Sequence, residues 1–210
     1  MLKINFLGDS ITEGAMASKE ENTYVYLVGK MTNSLTRNYG ISGSRFAKQI
    51  IPSVEPRFDM FFASRVYNMD HLADYVFIFG GTNDYGHGDA PFGEFGDTTP
   101  DTFYGSIDYL VNELLKYFKK EQIVFIPPLY RLNENSRRGD GSKPDGSKTL
   151  QEYRDAMMEV LNKYDIKVLD LKDKMGKAEN NPLLADGLHP NDEGHRYLAE
   201  LISEYIKHGC

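Results

Sequence analysis

Cysteine is almost absent from this 210-residue chain, whose one thiol is the last residue, Cys210. Without a second cysteine no intramolecular disulfide can form and no thiolate metal site can be built, and a terminal thiol is expected at the surface. Runs of about 18 apolar residues are also lacking, so no bilayer-spanning helix is expected. The apolar stretch in the opening MLKINFLGDS is far too short for the core of a signal peptide and reads as a strand, which leads to the expectation of a cytoplasmic protein. Net positive charge is missing too. The formal charge of −7 repels phosphate at long range and disfavours nucleic acid or an anionic membrane as the main partner. The only adjacent arginines, Arg137 and Arg138, lie beside Asp140 and Lys143 and read as a solvated loop.

What is present is a regular alternation. Apolar runs of strand length fall at Lys3 to Gly8, Leu35 to Tyr39, Tyr75 to Gly80, Gln122 to Pro127 and Lys167 to Asp170. Helical periods occupy Thr23 to Thr32, Pro100 to Lys119, Thr149 to Tyr164 and Pro190 to Lys207, the second with an apolar face of Ile107, Leu110, Val111, Leu114, Leu115 and Phe118. This order predicts an α/β domain over residues 1–210 with a mainly parallel sheet, whose ligand site lies beyond the carboxyl ends of the strands. Two segments break the rhythm, Gly86 to Pro100 and Asn133 to Lys148. Both read as long surface loops flanking that edge.

Four short motifs fall at that edge. The first strand ends in Gly8-Asp9-Ser10-Ile11-Thr12-Glu13-Gly14, a strand-to-helix junction that suits a serine nucleophile; Ser10 and Glu13 equally have the spacing of a helix capping box. Before the last helix comes Asp186-Gly187-Leu188-His189-Pro190, where Asp186 can hold the Nδ1 proton of His189 and leave Nε2 free to take one from Ser10. The plainer alternative makes Asn191 or Asp192 a helix cap and His189 a surface residue. Gly80-Gly81-Thr82-Asn83-Asp84 supplies the Asn83 amide as a donor to a developing oxyanion, though a turn needs such residues anyway. Asn38-Tyr39-Gly40-Ile41-Ser42-Gly43-Ser44 offers two glycines, Gly40 and Gly43, whose backbone N–H could approach a reacting carbonyl. Nucleophile, base, orienting acid and oxyanion donors thus all recur at strand ends.

Taken in order, Gly8-Asp9-Ser10, Gly43, Asn83 and Asp186-x-x-His189 resemble the sequence blocks of the SGNH (GDSL-type) hydrolase superfamily, and the match runs the length of the chain. The resemblance implies a three-layer α/β/α, flavodoxin-like fold with a five-stranded parallel sheet, and a carboxylic ester hydrolase without metal or cofactor. It implies Ser10 as nucleophile, His189 as general base and acid, Asp186 as its partner, and an oxyanion hole of the Ser10 and Gly43 amides with the Asn83 side chain. It favours Gly43 over Gly40. Thr12-Glu13-Gly14 resembles the carbohydrate-esterase branches, which suggests short acyl groups, such as O-acetyl on sugars, as substrate.

Other residues carry paired readings. His71, His87 and His195, with Asp84, Asp89 or Asp192, lack any recognised metal spacing, and surface or capping roles are expected. Tyr85, His87, Phe92 and Phe95 either wall a substrate pocket or pack their loop onto the domain. Arg45 either meets an anionic substrate group or pairs with a surface carboxylate. The competing function is a non-catalytic flavodoxin-like module that holds a phosphate or small molecule at the Ser10 helix. Such a site has no need of Asp186-x-x-His189.

Overall fold

The computed structural model describes residues 1–144 and 147–208; Cys210 lies outside them. Five strands, β1 (Lys3–Gly8), β2 (Leu35–Gly40), β3 (Tyr75–Phe79), β4 (Ile123–Ile126) and β5 (Lys167–Val168), form one parallel sheet in the order β2-β1-β3-β4-β5. Aromatic and β-branched residues fill the central strands, as expected where both faces are covered. Alternation assigns the faces. Leu7, Val76, Ile78, Ile123 and Phe125 enter one core, while Ile4, Phe6, Phe77, Phe79, Val124 and Ile126 enter the other.

Among the described residues eight α-helices in chain order cover the sheet: α1 (Ser10–Glu13), α2 (Tyr24–Thr32), α3 (Phe62–Arg65), α4 (Thr82–Gly86), α5 (Phe103–Leu115), α6 (Leu150–Lys163), α7 (Lys172–Met175) and α8 (Asp192–His208). Helices α3, α4, α5 and α6 contribute to the first core, and α1, α2, α7 and α8 to the second, giving three layers. Helix α5 shows why. Phe103, Ile107, Leu110, Val111 and Leu114 recur every three or four residues and are fully buried, each worth about 2 kcal/mol of transfer free energy. No helix among the described residues is long and apolar enough to cross a membrane.

The expected elements are present, with ends moved for local reasons. Helix α5 starts at Phe103 rather than Pro100 because Thr102 accepts the Gly105 N–H and is itself tied to Asp97. Helix α8 starts at Asp192, with the Asn191 side chain accepting the Gly194 N–H at 3.0 Å. Gly86 closes α4 instead of opening a loop. The segment from Asn133 is not a free loop: Tyr85 donates its hydroxyl to the Asn133 and Ser136 carbonyls, and Asp140 donates its N–H to Gly86 O at 2.8 Å. Nor is Lys143 solvated. Its ammonium is buried, donating to the Asp84 carbonyl and to the Tyr153 hydroxyl at 2.7 Å.

Candidate active site

Sheet register brings the motifs together. Gly8 pairs with Gly40 on one side and Phe79 on the other, so β1, β2 and β3 end level. Ser10 lies two residues beyond that line, Gly43 three and Asn83 four. At 2.9 Å from the Ser10 Oγ lies the Nε2 of His189, and its Nδ1 faces the Asp186 Oδ2 at 2.7 Å. The other Asp186 oxygen accepts the backbone N–H groups of Leu188 and His189 at 3.0 and 2.7 Å. Burial alone would raise the Asp186 pKa, but the His189 amide and imidazole and the Leu188 amide hold it below the usual carboxylate range. An ionised carboxylate at Nδ1 fixes the imidazole tautomer and leaves Nε2 able to accept the serine proton.

The capping-box reading of Ser10 and Glu13 fails. Asp9 caps α1, its Oδ1 accepting the Ile11 N–H at 3.0 Å, and this frees the serine hydroxyl for His189. Glu13 instead accepts the N–H of Ser42 at 2.7 Å, the Ser42 hydroxyl, and a guanidinium N–H of Arg57. His189 is no plain surface residue either, although Asn191 does cap the helix behind it.

Of the two glycines, only one offers a free donor. The Gly40 N–H donates to the Asn38 side chain at 2.8 Å, and a Cβ there would lie 2.2 Å from the Glu13 nitrogen. Gly43 sits at φ +73° with open space where a Cβ would point, a conformation glycine adopts without penalty. Its N–H has no acceptor among the described residues, and neither has that of Ser10. Asn83 is buried on α4, and its Nδ2 donates one proton to the Ser44 carbonyl at 3.0 Å. The second proton has no acceptor among the described residues.

Several supporting residues carry no signal in a linear sequence. Arg65, buried, donates Nη1 to the carbonyls of Gly8 and Tyr39 at 3.0 and 2.6 Å and Nη2 to the Ser44 hydroxyl at 3.0 Å, so one guanidinium braces the end of β1 to both ends of the turn that carries Gly43. Burial brings its pKa down to about 10 against the pull of Asp9 and Glu13. Asp84 accepts the N–H groups of Phe46 and Ala47 at 3.0 and 2.9 Å, which fixes the chain just after Gly43. Burial raises both Asp9 and Asp84 to about 6 despite their backbone hydrogen bonds.

The remaining residues sort plainly. Tyr85 is fully buried and packs its segment; Phe92 stacks on Phe103 and meets Tyr104 and Tyr153 edge-on, so it packs its loop while one side faces a cleft; Phe95 is exposed. His195 is not at the surface but fully buried, accepting the Tyr24 N–H at Nδ1 and lying 3.1 Å from the Ala15 carbonyl at Nε2. His71 lies against the Val66 carbonyl and stacks on Tyr117. His87 approaches Asp140 at 3.5 Å and lines a cleft of about 620 Å³ with Ile51, Phe92, Lys143, Lys148 and Tyr153. Among the described residues no three His, Cys, Asp or Glu side chains gather as a metal site.

Residues 6–197 match the model of the GDSL-like lipase/acylhydrolase family. The chain belongs to that family. Membership in the GDSL-like acylhydrolases supports a hydrolase function, and the solved structures it resembles agree in fold. A Lactobacillus plantarum protein, 25% identical, superposes with a TM-score of 0.81 over 100% of this chain and 98% of its own. A lipase/acylhydrolase from Enterococcus faecalis, 24% identical, gives 0.65 over 99% and 96%. A member of the lipolytic G-D-S-L family from Veillonella parvula, 19% identical, gives 0.65 over 99% of both chains. No curated protein matches the chain in sequence.

Proposed function

We propose that this GDSL-like acylhydrolase is a serine esterase that cleaves short-chain carboxylic esters through an acyl-Ser10 intermediate. The observation that carries the reading is the unbroken chain from the Ser10 Oγ to His189 Nε2 at 2.9 Å and from His189 Nδ1 to Asp186 at 2.7 Å. Nε2 takes the hydroxyl proton as Oγ bonds to the acyl carbon, and the carbonyl oxygen becomes an oxyanion facing the free N–H groups of Ser10 and Gly43 and the spare Asn83 proton. The bond to the leaving oxygen then breaks, and His189 returns the proton to the departing alcohol. Water enters, gives a proton to His189, adds to the acyl carbon, and releases the acid with the proton restored to Ser10.

O-acetyl groups on carbohydrates are the substrates we favour, on the resemblance of Thr12-Glu13-Gly14 to the carbohydrate-esterase branches. The test of the mechanism is covalent: a fluorophosphonate probe should add one phosphonyl group, found by mass spectrometry on the peptide holding Ser10. Labelling elsewhere, or none, would overturn it.

A further inference from the structure

Among the described residues Arg45 is an unspent cation next to Gly43 of the candidate oxyanion hole. Its residue is only 8% exposed, and its Nε donates to the carbonyl of Gly43 at 3.2 Å. Its two amino groups have no hydrogen-bond partner or ion pair among the described residues. A guanidinium held this way has one edge tied to the Gly43 turn and the rest of its fork available.

The acids whose charge it feels, Asp84, Asp89 and Asp59, are committed elsewhere. Asp84 takes the Phe46 and Ala47 N–H groups, Asp89 those of Ile50 and Ile51 at 3.0 and 2.6 Å, and Asp59 that of Ser53 at 3.0 and 2.9 Å. The neighbouring cations are committed too. Lys143 donates to Asp84 O and Tyr153, and Arg131 is paired with Asp140 and donates to Thr82. His87, the residue just after α4, feels the charge of Arg45. Its Nδ1 faces the Asp140 carboxylate at 3.5 Å, which leaves Nε2 an acceptor and leaves the anion to Arg45.

We infer that Arg45 binds a carboxylate carried by the ester substrate, so that the preferred esters are monoanionic. One uncommitted guanidinium supplies one charge and a planar fork, which matches a carboxylate rather than a dianionic phosphate. With a chain of net charge −7, long-range attraction cannot gather such substrates, and recognition has to be made by local contact. This inference rests on the esterase reading and narrows its substrate class.

The test compares isosteric pairs followed by proton release. One pair, 4-acetoxybenzoate and 4-acetoxybenzamide, carries the charge on the leaving group. The other, phenyl hydrogen glutarate and phenyl glutaramate, carries it on the acyl group. Wild type should favour the anionic member of one pair by about tenfold or more in kcat/KM, and the pair that does so tells which side Arg45 reads. Arg45→Gln should collapse that ratio toward one, and Arg45→Lys should keep part of it; the neutral member absorbs any general loss through the Gly43 turn. No anionic preference in either pair, or a ratio unchanged in Arg45→Gln, overturns the inference. Calorimetric titration with glutaramate, a monoanion, against glutaramide reads the same subsite without turnover. Arg45-dependent glutaramate binding in a protein that hydrolyses none of the esters would retain the subsite and reject the esterase reading, and absence of both would reject both.

Discussion

Glu13 and Ser42, 29 residues apart, are joined twice: the Glu13 carboxylate accepts both the backbone N–H and the hydroxyl of Ser42. The turn that carries Ser10 is thereby tied to the turn that carries Gly43. Burial alone would raise Glu13, but the Ser42 and Arg57 hydrogen bonds hold it below the usual carboxylate range, so it stays an ionised acceptor at neutral pH.

Glu13 is therefore a positioning residue. Glu13→Ala should lower kcat about ten- to a hundredfold, the scale on which small misplacements of reacting groups act, with KM little changed. Glu13→Gln, which keeps an acceptor for Ser42, should restore most of the rate. Equal losses in both variants, or a loss confined to KM, would contradict this role.

Asp186→Asn should fold normally and lose on the order of 10⁴ in kcat, because an amide at this position no longer enforces the tautomer that leaves Nε2 free. Steady-state kinetics on a short-chain ester measure it. A loss below tenfold would remove Asp186 from the mechanism.

Removing the Asn83 side chain with Asn83→Ala should cost about a hundred- to a thousandfold in kcat, the usual scale for one oxyanion donor. The Ser44 carbonyl also loses a donor, so thermal unfolding should be followed in parallel. A rate near wild type in a folded variant would exclude Asn83 from the hole.

Asp9 gives a pH signature. Its folded pKa, raised by burial to about 6 from 3.8, means that between these values the folded chain keeps a proton that the unfolded chain has given up. Stability from this group is present below about pH 4 and is lost as pH rises through about 6. Asparagine cannot ionise. The stability of Asp9→Asn relative to wild type should therefore grow by roughly 2–3 kcal/mol from pH 4 to pH 7, the equivalent of about two pKa units. Urea unfolding across that range checks it, and parallel curves would refute it.

The strands and the four long helices were legible because burial imposes a period on them; the candidates Ser10, Gly43 and Asn83 stood out because their motifs follow strand ends, and Asp186 and His189 because of their spacing just before the last helix. What stayed hidden depends on partners far away in the chain. The spacing of Ser10 and Glu13 fits a local capping box, yet Asp9 takes the cap and Glu13 reaches Ser42. Arg65 looks like any surface arginine until Gly8, Tyr39 and Ser44 converge on it. Lys143 reads as loop charge because nothing near it in sequence announces Asp84 and Tyr153. The short helices α3, α4 and α7 span four or five residues each, too few for a periodic pattern to register.

The central claim is that Ser10 carries the reaction, and p-nitrophenyl acetate hydrolysis by wild type and Ser10→Ala, purified identically and matched in circular dichroism and thermal unfolding, tests it most directly. The account predicts turnover by wild type and none above background by Ser10→Ala. Equal turnover by the two proteins would contradict it.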